Sequence, residues 1–142
     1  MWARCAGPST KRQMLKGDQF CHEFVVTRSI YTGFISLFGD RNPLHTELEF
    51  SRQKGFNGLV MHGNILNGFV SYFIGELLPV KNVIIQSQEI KFSKPVYLDD
   101  SLKFTATVED VYESVNTIEF KFRFTNLKGI KVATGKIMVG LI

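Results

Sequence analysis

The sequence predicts an α+β protein, one strongly curved antiparallel sheet wrapped around a long central helix. Three observations predict it. The stretch from Leu59 to Leu78 is the most apolar in the chain, and its Ile65, Leu66, Phe69, Val70, Phe73, Ile74 and Leu77 recur at three- and four-residue intervals, as one face of a buried helix requires. After Pro79 the period changes to two, most clearly where Ile118, Phe120, Phe122 and Phe124 alternate with Glu119, Lys121 and Arg123. The strands then follow one another through short turns, which implies antiparallel neighbours. A polar outer face leaves the other face of the sheet for the helix.

The elements are expected in the following order. Lys16-Gly17-Asp18 makes a turn into a strand from Gln19 to Val26. Thr27 can cap a helix over Arg28 to Phe38, whose apolar residues gather on one side and which Gly39 ends. Pro43 biases Asn42 away from helical torsions, so Asp40 to His45 is expected to be an extended or turning loop. A short helix should run from Glu47 to Lys54, stopped by Gly55. The central helix follows, its Gly63, Gly68 and Gly75 read as places where the sheet comes close. Strands are expected at Val83–Phe92, Ser101–Tyr112, around Ile118–Phe124 and, after the turn Asn126-Leu127-Lys128-Gly129, from Ile130 to Leu141.

A chain of 142 residues fits one domain with a substantial core. That domain is expected over 16–142, preceded by a poorly ordered arm at 1–15. The first 17 residues carry Arg4, Lys11, Arg12 and Lys16 and no acid, but no continuous apolar run of the kind a secretory signal needs. The net charge of +4 is mild and scattered. No basic run interleaves with aromatics, which argues against nucleic acid. His62, Asn64, Asn67, Ser71 and Glu76 interrupt the apolar stretch, which argues against a membrane span. Cys5 and Cys21 lack metal-type spacing, so two free thiols in a reducing cytoplasm are expected.

Chemistry concentrates in two clusters. Asp40 and His45 stand five residues apart around the Asn42-Pro43 turn, close enough to converge on one water molecule by general acid–base chemistry. Seventeen residues after His45, His62-Gly63 heads the apolar helix, where free N–H groups could hold a carbonyl oxygen that gains charge. Taken alone, Asp40 reads as a turn residue and His62 as a structural histidine bonded to backbone. Asn42 suits a side-chain-to-backbone bond that shapes the turn. Asn64 and Asn67, one turn apart, could line a pocket or satisfy buried carbonyls.

These residues resemble a known family. The segments Gly39-Asp40-Arg41-Asn42-Pro43-Leu44-His45, His62-Gly63 and Gln86 to Tyr97 are similar to those of MaoC-like (R)-specific enoyl-CoA hydratases and 3-hydroxyacyl-thioester dehydratases, which have the hot-dog fold. The resemblance covers Lys16 to Ile142. It implies reversible hydration of a 2-trans-enoyl thioester of CoA or acyl carrier protein to the (R)-3-hydroxyacyl thioester. Asp40 and His45 would be the catalytic pair, with His62, Gly63 and Asn64 on the substrate and the Gly63 N–H on its carbonyl. It implies no metal and no cofactor beyond the substrate's own carrier, and a homodimer or higher homo-oligomer with the acyl tunnel near its interface. Two positions depart from the pattern: Gly68 replaces a serine common six residues past the histidine of His-Gly, and Asn64 replaces an apolar residue. A hot-dog thioesterase and a non-catalytic acyl-thioester-binding module are the alternatives. The first needs a carboxylate on the central helix near the carbonyl, and Glu76 is the only acid well inside it, several turns from Gly63.

Overall fold

The structure, a computed structural model, describes residues 13–142. Five strands, β1 (Gln19–Val25), β2 (Val83–Phe92), β3 (Ser101–Tyr112), β4 (Thr117–Thr125) and β5 (Lys131–Leu141), form one sheet in the order β1-β3-β4-β5-β2. Every neighbouring pair is antiparallel. β1 and β2 are therefore the edges. Between them in sequence run α1 (Arg28–Phe38), α2 (Pro43–Thr46), α3 (Leu48–Gln53) and the central helix α4 (Asn64–Tyr72), which ends in a π-helical segment, Phe73–Leu77. Most of the expected arm at 1–15 lies outside the described residues; of its last three, Met14 is buried in the core.

The alternation read in β3 and β4 sorts residues as expected. Leu102, Phe104, Ala106 and Val108 are buried, as are Ile118, Phe120, Phe122 and Phe124. Against that face α4 lays Ile65, Leu66, Phe69 and Val70, and its continuation lays Phe73 and Ile74. Aromatic rings do much of the packing. Phe69 stacks on Phe24 at 4.3 Å, and Phe73 sits among Phe20, Phe104 and Phe120 at 5.5, 4.9 and 5.4 Å. This is a sheet wrapped around a helix, the α+β architecture expected.

Local chemistry sets the boundaries. Thr27 accepts from the Ile30 N–H at the start of α1, and Gly39 at its end adopts φ +75°, a left-handed conformation that glycine enters at little cost. Leu59 and Val60 are not helical, since Val60 forms an isolated antiparallel bridge with Tyr97. The segment from Asp40 to His45 is only partly the loop expected. Asn42 is extended (ψ 136°), as the residue before proline should be, but Pro43 opens a one-turn helix capped by the Asn42 side chain. Gly68 and Gly75 have no atom within 4 Å of where a Cβ would sit, so close approach of the sheet is not their role; at Gly63 the expectation holds, because a Cβ would lie 3.0 Å from the Phe92 ring. Cys21 is disulfide-bonded, which corrects the expectation of two free thiols: spacing that excludes a metal motif does not exclude a cross-link.

Candidate active site

The path from α1 to α4 brings the two sequence clusters together. Gly39 turns the chain out of α1 and places Asp40 just beyond it, with its carboxylate half exposed. Asp40 Oδ1 accepts the Asn42 N–H at 3.1 Å, and Asn42 Oδ1 in turn accepts the Leu44 N–H at 3.0 Å. This nested turn starts α2, whose one turn carries His45 back toward Asp40. The second carboxylate oxygen, Oδ2, lies 3.8 Å from His45 Nε2. That is too long for a direct hydrogen bond and suited to two acceptors that share one oxygen between them.

Backbone carbonyls fix both imidazoles. His45 Nδ1 stands 2.7 Å from the Val60 oxygen. A carbonyl only accepts, so Nδ1 carries a proton and Nε2 is the nitrogen turned toward Asp40, the one that bears the lone pair whenever the ring is neutral. The Tyr31 hydroxyl donates to the His45 carbonyl at 2.6 Å and ties α2 to α1. His62 is buried, with its ring packed between those of His45 at 3.9 Å and Phe34 at 4.6 Å. Its Nε2–H donates to the Asp40 carbonyl at 2.9 Å. Its Nδ1 is buried with no hydrogen-bond partner among the described residues. The bond of Nε2 goes to backbone, as the structural reading of His62 expects.

Gly63 begins α4 with no side chain to cap it. Ile65 N and Leu66 N bond back to His62 and Gly63, whereas the N–H groups of Gly63 and Asn64 have no partner among the described residues. Two open donors at the positive end of a helix can hold an oxygen that becomes negative. They belong to the same cavity as the acid–imidazole pair. It measures about 510 Å³, and its wall includes Asp40, His45, Gly63, Asn64, Phe92 and Lys94. A second, mostly apolar groove of about 810 Å³ runs between α1 and α4, lined by Gly33, Leu37, Phe38, Ile65, Gly68 and Phe69 among others. Phe34, Asp40 and Asn64 line both, so the two hollows share a wall at these residues.

The structure thus gathers all five residues singled out in the sequence, Asp40, His45, His62, Gly63 and Asn64, at one cavity. Three further participants gave no sequence signal. Val60 acts through its carbonyl, which side-chain type cannot reveal. Tyr31 and Phe34 read as ordinary apolar positions of α1. Asp40, His45 and His62 each offer one ligand atom within 4.8 Å of the others, a spacing a divalent cation could bridge.

The family model described as MaoC like domain matches residues 18–127. This chain belongs to the MaoC-like family. Among curated relatives, an (R)-specific enoyl-CoA hydratase of Rhodospirillum rubrum is 30% identical over 88 residues, 62% of this chain and 61% of that protein. Another of the same description, from Aeromonas caviae, is 29% identical over 108 residues, 76% of this chain and 81% of the relative. The chain therefore spans about three fifths of the Rhodospirillum protein's length and most of the Aeromonas one's. A solved (R)-hydratase from A. caviae involved in PHA biosynthesis superposes with a TM-score of 0.84 over 92% of this chain and 99% of that one, at 24% identity. At that identity the likeness speaks for the fold, the hot-dog arrangement. None of the described helices is long and apolar enough to cross a membrane.

Proposed function

We propose that this MaoC-like protein is a hydro-lyase: it adds water across the 2,3-trans double bond of an enoyl thioester to give the (R)-3-hydroxyacyl thioester, and runs the reverse dehydration. The observation that carries the reading is the 3.8 Å pair of His45 Nε2 and Asp40 Oδ2 on the wall of the cavity that also holds the unpartnered Gly63 N–H. The relatives named as (R)-specific enoyl-CoA hydratases support it.

The geometry divides the work. The thioester carbonyl accepts from Gly63 N–H at the head of α4 and gains enolate character as water attacks Cβ. Water held between Asp40 and His45 bonds to Cβ through its oxygen and releases a proton to the pair. The pair returns one proton to Cα on the same face, so its proton count is unchanged after a turnover. His62 does not touch the reacting atoms in this scheme; through the Asp40 carbonyl it sets where the carboxylate stands. The apolar groove between α1 and α4 takes the acyl chain, and the rim near Lys94 receives the CoA or acyl carrier protein end. The scheme needs no metal and no cofactor beyond that carrier.

The exposed outer edge of β2 belongs to the same proposal. It is ten residues long and leaves Ile84, Ile85 and Phe92 exposed, which suits edge-to-edge pairing with a second copy beside the cavity that Phe92 lines. Cytoplasmic residence, the expectation from the sequence, stands against one observation, the disulfide at Cys21, since disulfides persist chiefly in oxidising compartments.

A thioesterase would need its carboxylate near the carbonyl site. Glu76 is exposed in the π-helical segment and lines neither hollow. One spectrophotometric experiment separates the readings. With crotonyl-CoA, loss of the conjugated-thioester absorbance without thiol release is the expected result. Thiol release would replace the hydro-lyase by a hydrolase, and neither signal would leave an acyl-thioester-binding module.

A further inference from the structure

Asn64, the first residue of α4, sits where the catalytic cavity meets the apolar groove, and its carboxamide is held rather than free. Asn67 Nδ2 donates to Asn64 Oδ1 at 2.8 Å. Gln88 Nε2, from edge strand β2, donates to Asn67 Oδ1 at 2.5 Å. A flip of any one amide alone would set oxygen against oxygen or NH2 against NH2, so the three hold one another in register. The direction also fits the surroundings. Asn64 and Asp40 line the same two hollows, and near an acid an N–H is favoured over an oxygen.

In this arrangement Oδ1 of Asn64 is occupied, while its Nδ2 has no partner among the described residues. Two further open donors, the backbone N–H groups of Gly63 and Asn64, belong to residues of the same cavity wall. Ordering three amide side chains at a half-exposed surface has an entropic cost that solvated residues would avoid. An aligned donor at the substrate junction gives that order a use.

We infer that Asn64 Nδ2 is a second, side-chain donor to the thioester oxygen held by Gly63 N–H, and that Asn67 and Gln88 are positioning residues that aim it. The inference rests on the hydro-lyase reading and adds three residues to its machinery. A donor that acts on the developing enolate lowers kcat when removed and leaves KM nearly unchanged.

The test is steady-state hydration of crotonyl-CoA by the full chain and by Asn64→Ala, Asn64→Asp, Gln88→Leu and the Asn64→Ala/Gln88→Leu pair. With active wild type, Asn64→Ala should lose about 10- to 100-fold in kcat with KM changed by less than about 3-fold. Asn64→Asp, which keeps the size and removes the donor, should lose at least as much. Gln88→Leu should lose about 3- to 10-fold in the wild-type background and nothing further in the Asn64→Ala background, the non-additivity of residues acting through one group. Wild-type kcat in Asn64→Asp, a loss confined to KM, or an equal Gln88→Leu loss in both backgrounds would overturn the inference and leave the hydro-lyase reading standing. A wild-type protein that does not hydrate the substrate would overturn both.

Discussion

His62 Nε2 donates to the backbone carbonyl of Asp40 across 22 residues of sequence, so the histidine at the head of α4 anchors the acid at the end of α1. The arrangement leaves His62 Nδ1 buried without a partner, a cost of about 1–3 kcal/mol for such a group. In return, the half-exposed Asp40 is anchored through its main chain, and the ring packs against that of His45 at 3.9 Å, tilted by 31°. Two variants separate packing from anchoring. His62→Ala should destabilise the fold by about 2–4 kcal/mol in urea unfolding, through the cavity and the unpaired Asp40 carbonyl. His62→Leu should recover much of that stability while its hydration rate stays at least about 10-fold below wild type. Recovery of the rate along with the stability would assign His62 to packing alone.

The open N–H of Gly63 can be removed without changing its torsions. Gly63 has φ −57°, within proline's range, and its N–H has no partner among the described residues. Gly63→Pro should lower kcat on the order of 10²- to 10³-fold while circular dichroism stays native-like. Gly63→Ala is the control for added bulk. The three atoms nearest its Cβ would all belong to the half-exposed Phe92 ring, which can turn aside, so a change within a few-fold is expected. Equal rates in the two variants would remove the backbone N–H from the mechanism.

Metal chemistry has a separate test. The three-residue cluster of Asp40, His45 and His62 has a spacing a cation could use. The acid–base account predicts an unchanged hydration rate after dialysis against EDTA. A rate that falls with EDTA and returns with a divalent ion would move the centre from proton transfer to metal-bound water.

The parts of this molecule legible in the sequence are those fixed by local rules. Thr27 and Gly39 bracket α1 through caps that residue type announces, and Phe120, Phe122 and Phe124 declare an inward face by alternation. Asp40 and His45 were legible because a proline turn keeps them close in sequence. What escaped depends on contacts between distant segments. Apolar content could not show that Leu59 and Val60 lie outside the helix, because Val60 bridges Tyr97 across the fold. Pro43 pointed to a loop from Asp40 to His45, yet it opens a helical turn because Asn42 supplies the cap. Gly68 and Gly75 look like close-packing glycines but face open space. The link from Gln88 to Asn67 joins a strand to a helix 21 residues away and leaves no local trace.

The most direct measurement of the central claim is the hydration rate of crotonyl-CoA by Asp40→Asn and His45→Gln, purified and shown to be folded. If the two side chains share one water molecule, each substitution should lower kcat by about 10²- to 10⁴-fold, with little change in thermal stability because neither residue is in the hydrophobic core. A folded His45→Gln or Asp40→Asn variant that turns over at the wild-type rate would contradict the account.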